Sequence, residues 1–166
     1  MIIYEKIFRE FKRKKVNYVI VGALAVNLLG SSRNTFDLDI LVEMSDNNLT
    51  KVVNILKGQG YKVKQPVDPI GIADKKTRED WIENKHMKAF NFYKENDLKE
   101  VDIIIETPVS YAEAKNKIII IKCGNLILPI ISIDHLIRMK KKANRDVDRL
   151  DIRELKILKK LRERSS

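Results

Sequence analysis

Apolar and polar positions follow two periods along this chain, and each change of period marks a new element. Residues 2–13 place Ile3, Ile7 and Phe11 at helical spacing with Phe8 beside them, which predicts an amphipathic helix. The basic run from Lys12 to Lys15 complements the negative end of its dipole. An apolar run at 18–21 predicts a strand that breaks at Gly22; a short helix at 23–29 follows and stops at Gly30. After a polar turn, 35–42 reads as a second strand. Ser45-Asp46 opens a helix with Leu49, Val52, Val53 and Leu56 on one face, stopped by Gly58 and Gly60. A short strand at 61–64 leads into 66–80, where Pro66, Pro69 and Gly71 predict a loop or lid closed by a helix around 77–84.

Strands at 87–93 and 98–106 are joined by a turn at Glu95-Asn96-Asp97, and Pro108 ends the second. A short helix is expected at 109–115. Gly124-Asn125 then sits between apolar runs at 118–122 and 126–131, which suggests a hairpin or a bent strand pair. Ser132-Ile133-Asp134 opens a helix carrying Leu136, Ile137 and Met139. The last helix, 146–162, drawn on a wheel, gathers Val147, Leu150, Leu155, Ile157, Leu158 and Leu161 into a stripe expected to face the core. Arg149, Arg153, Lys156 and Lys160 form a basic ridge opposite. Asp151 falls within the apolar stripe, where an unpaired charge is costly, so Arg145 or Lys140 is expected to pair with it.

The chemistry concentrates in the strand at 35–42. Side chains alternate there, so Asp37 and Asp39 leave one face while Leu38, Ile40 and Val42 leave the other. Two carboxylates side by side on an apolar strand repel, and one takes up a proton unless a cation lies between them. A divalent metal removes the conflict, and hard carboxylate oxygens suit magnesium. Gly22, at the end of the preceding strand, lets backbone N–H groups approach a phosphate. Asp102 is a third carboxylate in an apolar strand, directly before Ile103, Ile104 and Ile105. It completes a cluster of three if its strand lies beside 35–42. Trp81 and His86 read as packing or surface, and Cys123 as core or strand filler.

Gly22-Ala23, then thirteen residues, then Asp37-Leu38-Asp39 resembles the signature of the DNA polymerase β-like nucleotidyltransferase superfamily. Within it, the chain is most similar to small nucleotidyltransferase-like proteins, which include antibiotic nucleotidyltransferases and toxin–antitoxin components. The second position of the pair is usually Gly or Ser; Ala23 lacks the hydroxyl but keeps the backbone N–H. Lys140, Asn144, Arg145, Asp148 and Asp151 resemble a C-terminal pattern of the same small proteins. The resemblance implies an α/β (α+β) palm, a mixed sheet with flanking helices and a short helical tail. It implies one domain over 1–166, with a catalytic palm at 1–108 and C-terminal strands and helices at 109–166.

The implied reaction moves a nucleoside monophosphate from an NTP, with ATP the first expectation, to an acceptor hydroxyl, with magnesium bound and pyrophosphate released. Asp37, Asp39 and Asp102 would hold the metal, and Asp102 would also take the acceptor's proton. Gly22 and Ala23 would hold phosphate oxygens, and Arg33 or Lys140 would counter charge on the pyrophosphate. A non-catalytic module of the same fold, antitoxin-like or RNA-binding, is the alternative.

Composition adds limits. The chain has 166 residues, 44% of them hydrophobic and 34% charged, the profile of a soluble globular protein long enough to bury a core. No apolar run approaches the roughly 20 residues of a membrane span, and residues 1–15 show no signal-peptide pattern. One cysteine, Cys123, cannot form an internal disulfide, which suits the cytoplasm. The net charge of +10 is uneven: residues 1–15 hold six basic and two acidic groups, residues 138–166 twelve and five, and the middle fifteen and sixteen. Basic ends on a near-neutral centre favour a polyanionic partner. RNA, a protein hydroxyl, a small antibiotic and a toxin partner all stay open as acceptor or partner.

Overall fold

The period-2 segments join into one seven-stranded sheet in the computed structural model of the chain. Residues 3–164 are described, so residue 2, where the first helix was expected to begin, lies outside them. Helix α1 (Glu5–Lys14) buries Ile7, Phe8 and Phe11 and ends at Lys15 in a left-handed conformation. Its aromatic face meets Tyr18 of strand β1 (Tyr18–Val21), with Phe11 edge-on at 4.9 Å between ring centroids. Gly22 starts the short helix α2 (Gly22–Leu28), and β2 (Asp37–Val42) returns antiparallel to β1.

Helix α3 (Asp46–Gly58) is capped by Ser45, whose hydroxyl accepts from the Asn48 backbone N–H. The Asn48 carboxamide is buried and bonds the Asn17 backbone N–H and the carbonyls of Asn17 and Glu43, which pins the start of β1 to the end of β2. The edge strand β3 (Lys62–Val63) is followed by a 3-10 turn, Pro69–Ala73, and helix α4 (Lys75–Glu83).

The segment expected to be a loop or lid is therefore packed structure. Ile72 and Ala73 are buried, and Trp81 stacks near Phe90 at 5.7 Å. Arg78 explains why the segment is fixed. Its buried guanidinium donates to the carbonyls of Ile72 and Met44 and pairs with Asp46, so moving the segment away would strand a charge.

Strands β4 (Ala89–Tyr93) and β5 (Glu100–Ile104) form the expected antiparallel pair. Helix α5 (Tyr111–Ala114) precedes the hairpin β6 (Ile119–Cys123) and β7 (Leu126–Ile130), with Cys123 half-buried at the turn. The strand order is β3-β4-β5-β2-β1-β7-β6; β2 runs parallel to β5 and β1 parallel to β7, so the sheet is mixed as expected. β1 is buried at all four positions because it lies inside this order and is covered on both faces.

Helices α6 (Ile133–Ala143) and α7 (Asp146–Arg164) pack on each other across a turn at Asn144, which adopts a left-handed conformation. Here the wheel expectation is corrected. Val147, Leu150, Ile157 and Leu161 are exposed, and α7 turns inward the face made by Asp148, Asp151 and Leu155, with Leu158 half-buried. The reason is electrostatic. Lys140, buried near the end of α6, lies 3.3 Å from Asp148 and 2.6 Å from Asp151, and i,i+3 spacing puts both carboxylates on one side of α7. The expected basic ridge, Arg149, Arg153, Lys156 and Lys160, is exposed.

Candidate active site

The site grows from the register of four strands. Val21 pairs with Asp39, Asp39 with Asp102, and Asp102 with Asn91, so one row across β1, β2, β5 and β4 carries two adjacent carboxylates. The next row holds Asp37 opposite Glu100, and Glu100 opposite Tyr93. By the pleat, these side chains share one face of the sheet. The other face carries Leu38, Ile40, Phe90, Phe92, Val101 and Ile103, all buried, and that apolar layer fixes the register. A slip of one residue would turn every carboxylate into the core. The expected adjacency of 35–42 and Asp102 is thus what the fold produces.

Gly22 makes the row possible. It sits at φ +67°, and a Cβ there would lie 1.8 Å from Asp39 Oδ2. No other residue fits beside that carboxylate without displacing it. Asp39, Asp102 and Gly22 line a cleft of about 350 Å³, with Ile104, Leu136 and Met139 as an apolar wall and Lys140, Arg145 and Asp148 at the helical side. Asp37 is exposed at the outer end of β2, while Ala23 and Arg33 are not among the lining residues. The hydroxyl of Tyr4 bonds the carbonyls of Phe36 and Glu100, tying the start of the chain to the mouth of the β2–β5 pair.

The carboxylates perturb one another. Burial, then Asp102 and Asp37, push the Asp39 carboxyl up to about 7, against the pull of Lys140 and Arg145. Burial also raises Asp102, opposed by the hydrogen bond that Asn91 donates to its Oδ1 at 2.8 Å, while Glu100 and Asp37 raise it further. Crowded, part-buried carboxylates of this kind are what a divalent cation neutralises. Among the described residues no group of three His, Cys, Asp or Glu side chains forms a ready-made metal cage. Magnesium does not require one: it is held by one or two carboxylates with waters and substrate phosphates completing the octahedron. The Asp39–Asp102 pair fits that role.

On the helical side the cations are arranged differently from expectation. Lys140 is buried and shared by Asp148 and Asp151, which confirms a partner for Asp151. Arg33 also pairs with Asp151, so its charge is engaged away from the cleft. Arg145 pairs with Asp148 at 2.8 Å while its side chain stays 67% exposed, leaving a guanidinium edge open to the cleft. Burial alone would raise Asp148, but the side-chain and backbone hydrogen bonds from Arg145, with Lys140, hold its carboxyl below the usual range. Asp148 and the Arg145 N–H also form half of a capping box for α7. At the sequence level Arg145 stands as a candidate partner of Asp151 and as a member of the C-terminal Lys140–Asp151 pattern, and Asn91 has no role. The signal for Asn91 was its place on the alternating row of β4, but only the register brings it opposite Asp102.

The chain is similar in structure to the lincosamide antibiotic adenylyltransferase LnuA solved with lincomycin, at 19% identity and a TM-score of 0.62, over 92% of this chain and 93% of that one. It is similar to ANT(2'')-Ia in complex with adenylyl-2''-tobramycin, at 14% identity and a TM-score of 0.59, over 97% and 95%. A Thermotoga maritima chain described as a candidate nucleotidyltransferase matches at 18% identity and a TM-score of 0.54, over 97% and 91%. At these identities the likeness establishes the fold. No curated protein matches the chain. The family model described as aminoglycoside-2''-adenylyltransferase matches residues 4–155, a span that takes in every strand, the carboxylate row and the Lys140–Asp151 network. The chain belongs to the aminoglycoside-2''-adenylyltransferase family and is a nucleotidyltransferase.

Proposed function

We propose that this enzyme adenylylates a small antibiotic: it transfers AMP from ATP to a hydroxyl of an aminoglycoside- or lincosamide-type acceptor and releases pyrophosphate. The observation that carries this is the Asp39–Asp102 pair, adjacent across β2 and β5 and facing a cleft closed on one side by the Gly22 turn. The acceptor oxygen attacks the α-phosphorus as the bond to the β-phosphate oxygen breaks. Asp39, Asp102 and, at the rim, Asp37 would hold magnesium, which when bound would draw charge from the phosphates and lower the acceptor hydroxyl's pKa. Asp102 takes the hydroxyl proton, because its carboxyl lines the cleft and burial raises it toward the basicity the task needs.

The backbone amides of Gly22 and Ala23 hold phosphate oxygens at the turn. Arg145 and Lys140 offset charge on the departing pyrophosphate from the opposite wall. Arg145 is the stronger contributor, since Lys140 already faces two carboxylates. The apolar wall of Ile104, Leu136 and Met139 suits a flat nucleobase. The family and the antibiotic-bound fold relatives favour a small-molecule acceptor, and neither gives support to RNA or to a toxin partner.

The test is direct. The protein is incubated with magnesium and ATP labelled at the α-phosphate, against tobramycin, lincomycin and other members of both classes. Label appearing on one antibiotic, with matching pyrophosphate release, is the expected result; turnover with none of the panel would remove the small-antibiotic reading.

A further inference from the structure

Among the described residues, Asp102 is the only member of the carboxylate row with a neutral hydrogen-bond donor aimed at it. Asn91, its register partner on β4, donates from Nδ2 to Asp102 Oδ1 at 2.8 Å. Asn91 is itself held. Gln65 donates from Nε2 to Asn91 Oδ1 at 2.7 Å and to the Ala89 carbonyl at 3.3 Å, and its Oε1 accepts from the Asn91 backbone N–H at 3.3 Å. The β3–β4 ladder ends at Val63 with the Lys64 N–H bonded to the Asn91 carbonyl. The Gln65 side chain then takes the place of the next strand residue and binds Asn91 on both its backbone and its amide.

A carboxamide presents an oxygen on one side and an amine on the other, and its contacts decide which way it faces. With Gln65 donating to the Asn91 oxygen, only the amine side of Asn91 is left for Asp102. The carboxylate is thereby fixed through Oδ1. Among the described residues no other side chain donates to Asp102, and the nearby Lys64 is engaged by Glu100 at 2.6 Å.

We propose that Asn91 and Gln65 are positioning residues for the transfer: Gln65 sets the orientation of the Asn91 amide, and Asn91 anchors Asp102 by one oxygen so that the other stays turned to the acceptor. The proposal rests on the reading of Asp102 as the group that receives the acceptor's proton. It assigns a catalytic consequence to Gln65, which lies on a different segment of the chain, at the edge of the sheet. Neither residue touches nucleotide or acceptor in this scheme. Their loss should lower kcat and leave the KM values for ATP and acceptor unchanged, since binding groups are intact and only the reacting geometry is relaxed.

The experiment is a double-mutant cycle on AMP transfer to the antibiotic that the acceptor panel identifies. Asn91→Ala should lower kcat about 10- to 100-fold, the usual effect of removing a residue that orients a reacting group. Gln65→Ala should lower it by less, and should have no further effect once Asn91 is Ala, because Gln65 acts only through Asn91. Gln65→Glu, which keeps the acceptor for the Asn91 backbone N–H but loses the donor to Asn91 Oδ1, should behave like Gln65→Ala. Melting curves identify any variant that merely unfolds.

A second measurement needs no acceptor. In a nitrogen-15 correlation spectrum the Asn91 side-chain amide signals should move on Asp102→Asn and on Gln65→Ala. Unmoved signals would overturn the geometry. A raised acceptor KM with unchanged kcat in Asn91→Ala would make Asn91 a binding residue and overturn the positioning role. Fully additive effects of the two substitutions would separate Gln65 from the relay. Asp102→Asn distinguishes the two levels of the argument: an active Asp102→Asn enzyme refutes the reading beneath the proposal, whereas an inactive one beside fully active Asn91→Ala and Gln65→Ala enzymes refutes the proposal alone.

Discussion

Asp39→Asn should stabilise the metal-free protein, and by an amount that depends on pH in a defined direction. In the folded protein burial and the neighbouring Asp102 and Asp37 raise this carboxyl from 3.8 to about 7. Below about pH 4 it is protonated both folded and unfolded, and the folded-state advantage of the neutral form is fully present. As pH rises the unfolded chain ionises first, so the advantage drains away and is gone once pH passes about 7. A shift of roughly 3 units at about 1.36 kcal/mol each sets a ceiling near 4 kcal/mol. Asp39 keeps some solvent exposure, so about half of that is the working figure, ~2 kcal/mol.

For a chain of this length ~2 kcal/mol corresponds to about 4–8 °C in Tm. The assay is calorimetric melting of wild type and Asp39→Asn in chelator, from about pH 4 to about pH 8. The difference in Tm, variant minus wild type, should widen by that amount and then level off. Groups common to both proteins and distant from Asp39 cancel in the difference. A difference that stays flat, or narrows as pH rises, would refute the claim that Asp39 is held in a carboxylate cluster that disfavours its charge.

Three further expectations test the surroundings. Lys140→Ala leaves Asp148 and Asp151 facing each other with only Arg145 and Arg33 in reach, and should cost about 3–5 kcal/mol in urea unfolding. A cost under about 1 kcal/mol would show that the α6–α7 contact does not depend on this charge. Leu155→Ala should cost about 2–5 kcal/mol, against less than about 0.5 for Leu150→Ala, because only Leu155 is buried; comparable losses would restore the wheel orientation. Gly22→Ala forces a side chain into a left-handed conformation at a cost of roughly 1–2 kcal/mol, and pushes Asp39 Oδ2 out of its place. It should lose transfer while remaining folded, as near-native circular dichroism would report, and an active variant would contradict the geometry of the turn.

Much of the carboxylate site was legible because it obeys a local rule. Asp37 and Asp39 sit two apart on an apolar strand, and Asp102 interrupts another, so period-2 alternation alone sends them away from the core. The parallel pairing that joins them depends on the long connection between β2 and β5, which no local pattern encodes. The cations were harder. Arg33 meets Asp151 across 118 positions of sequence, and nothing in either neighbourhood marks the other.

Helix α7 was misjudged because a wheel treats apolar residues as the buried ones. Here two aspartates are buried by a lysine from the preceding helix, and Leu150 and Ile157 are left outside. The segment 66–80 reads as a loop or lid because its prolines and glycine signal a break in regular structure. They do not signal mobility, and the buried Arg78 holds it down. Gln65 and Asn91 were invisible for the same reason as Arg33: their role exists only in the register.

The proposed work of the row of Asp39 and Asp102 is the movement of an adenylyl group. It is tested most directly by following the two ends of ATP separately, with label in either the α- or the γ-phosphate, in one reaction with magnesium and the acceptor antibiotic. The α label should move to the antibiotic, the γ label should leave as pyrophosphate, and Asp39→Asn and Asp102→Asn, both folded, should do neither. A γ label on the antibiotic, or α-label transfer undiminished in both variants, would contradict it.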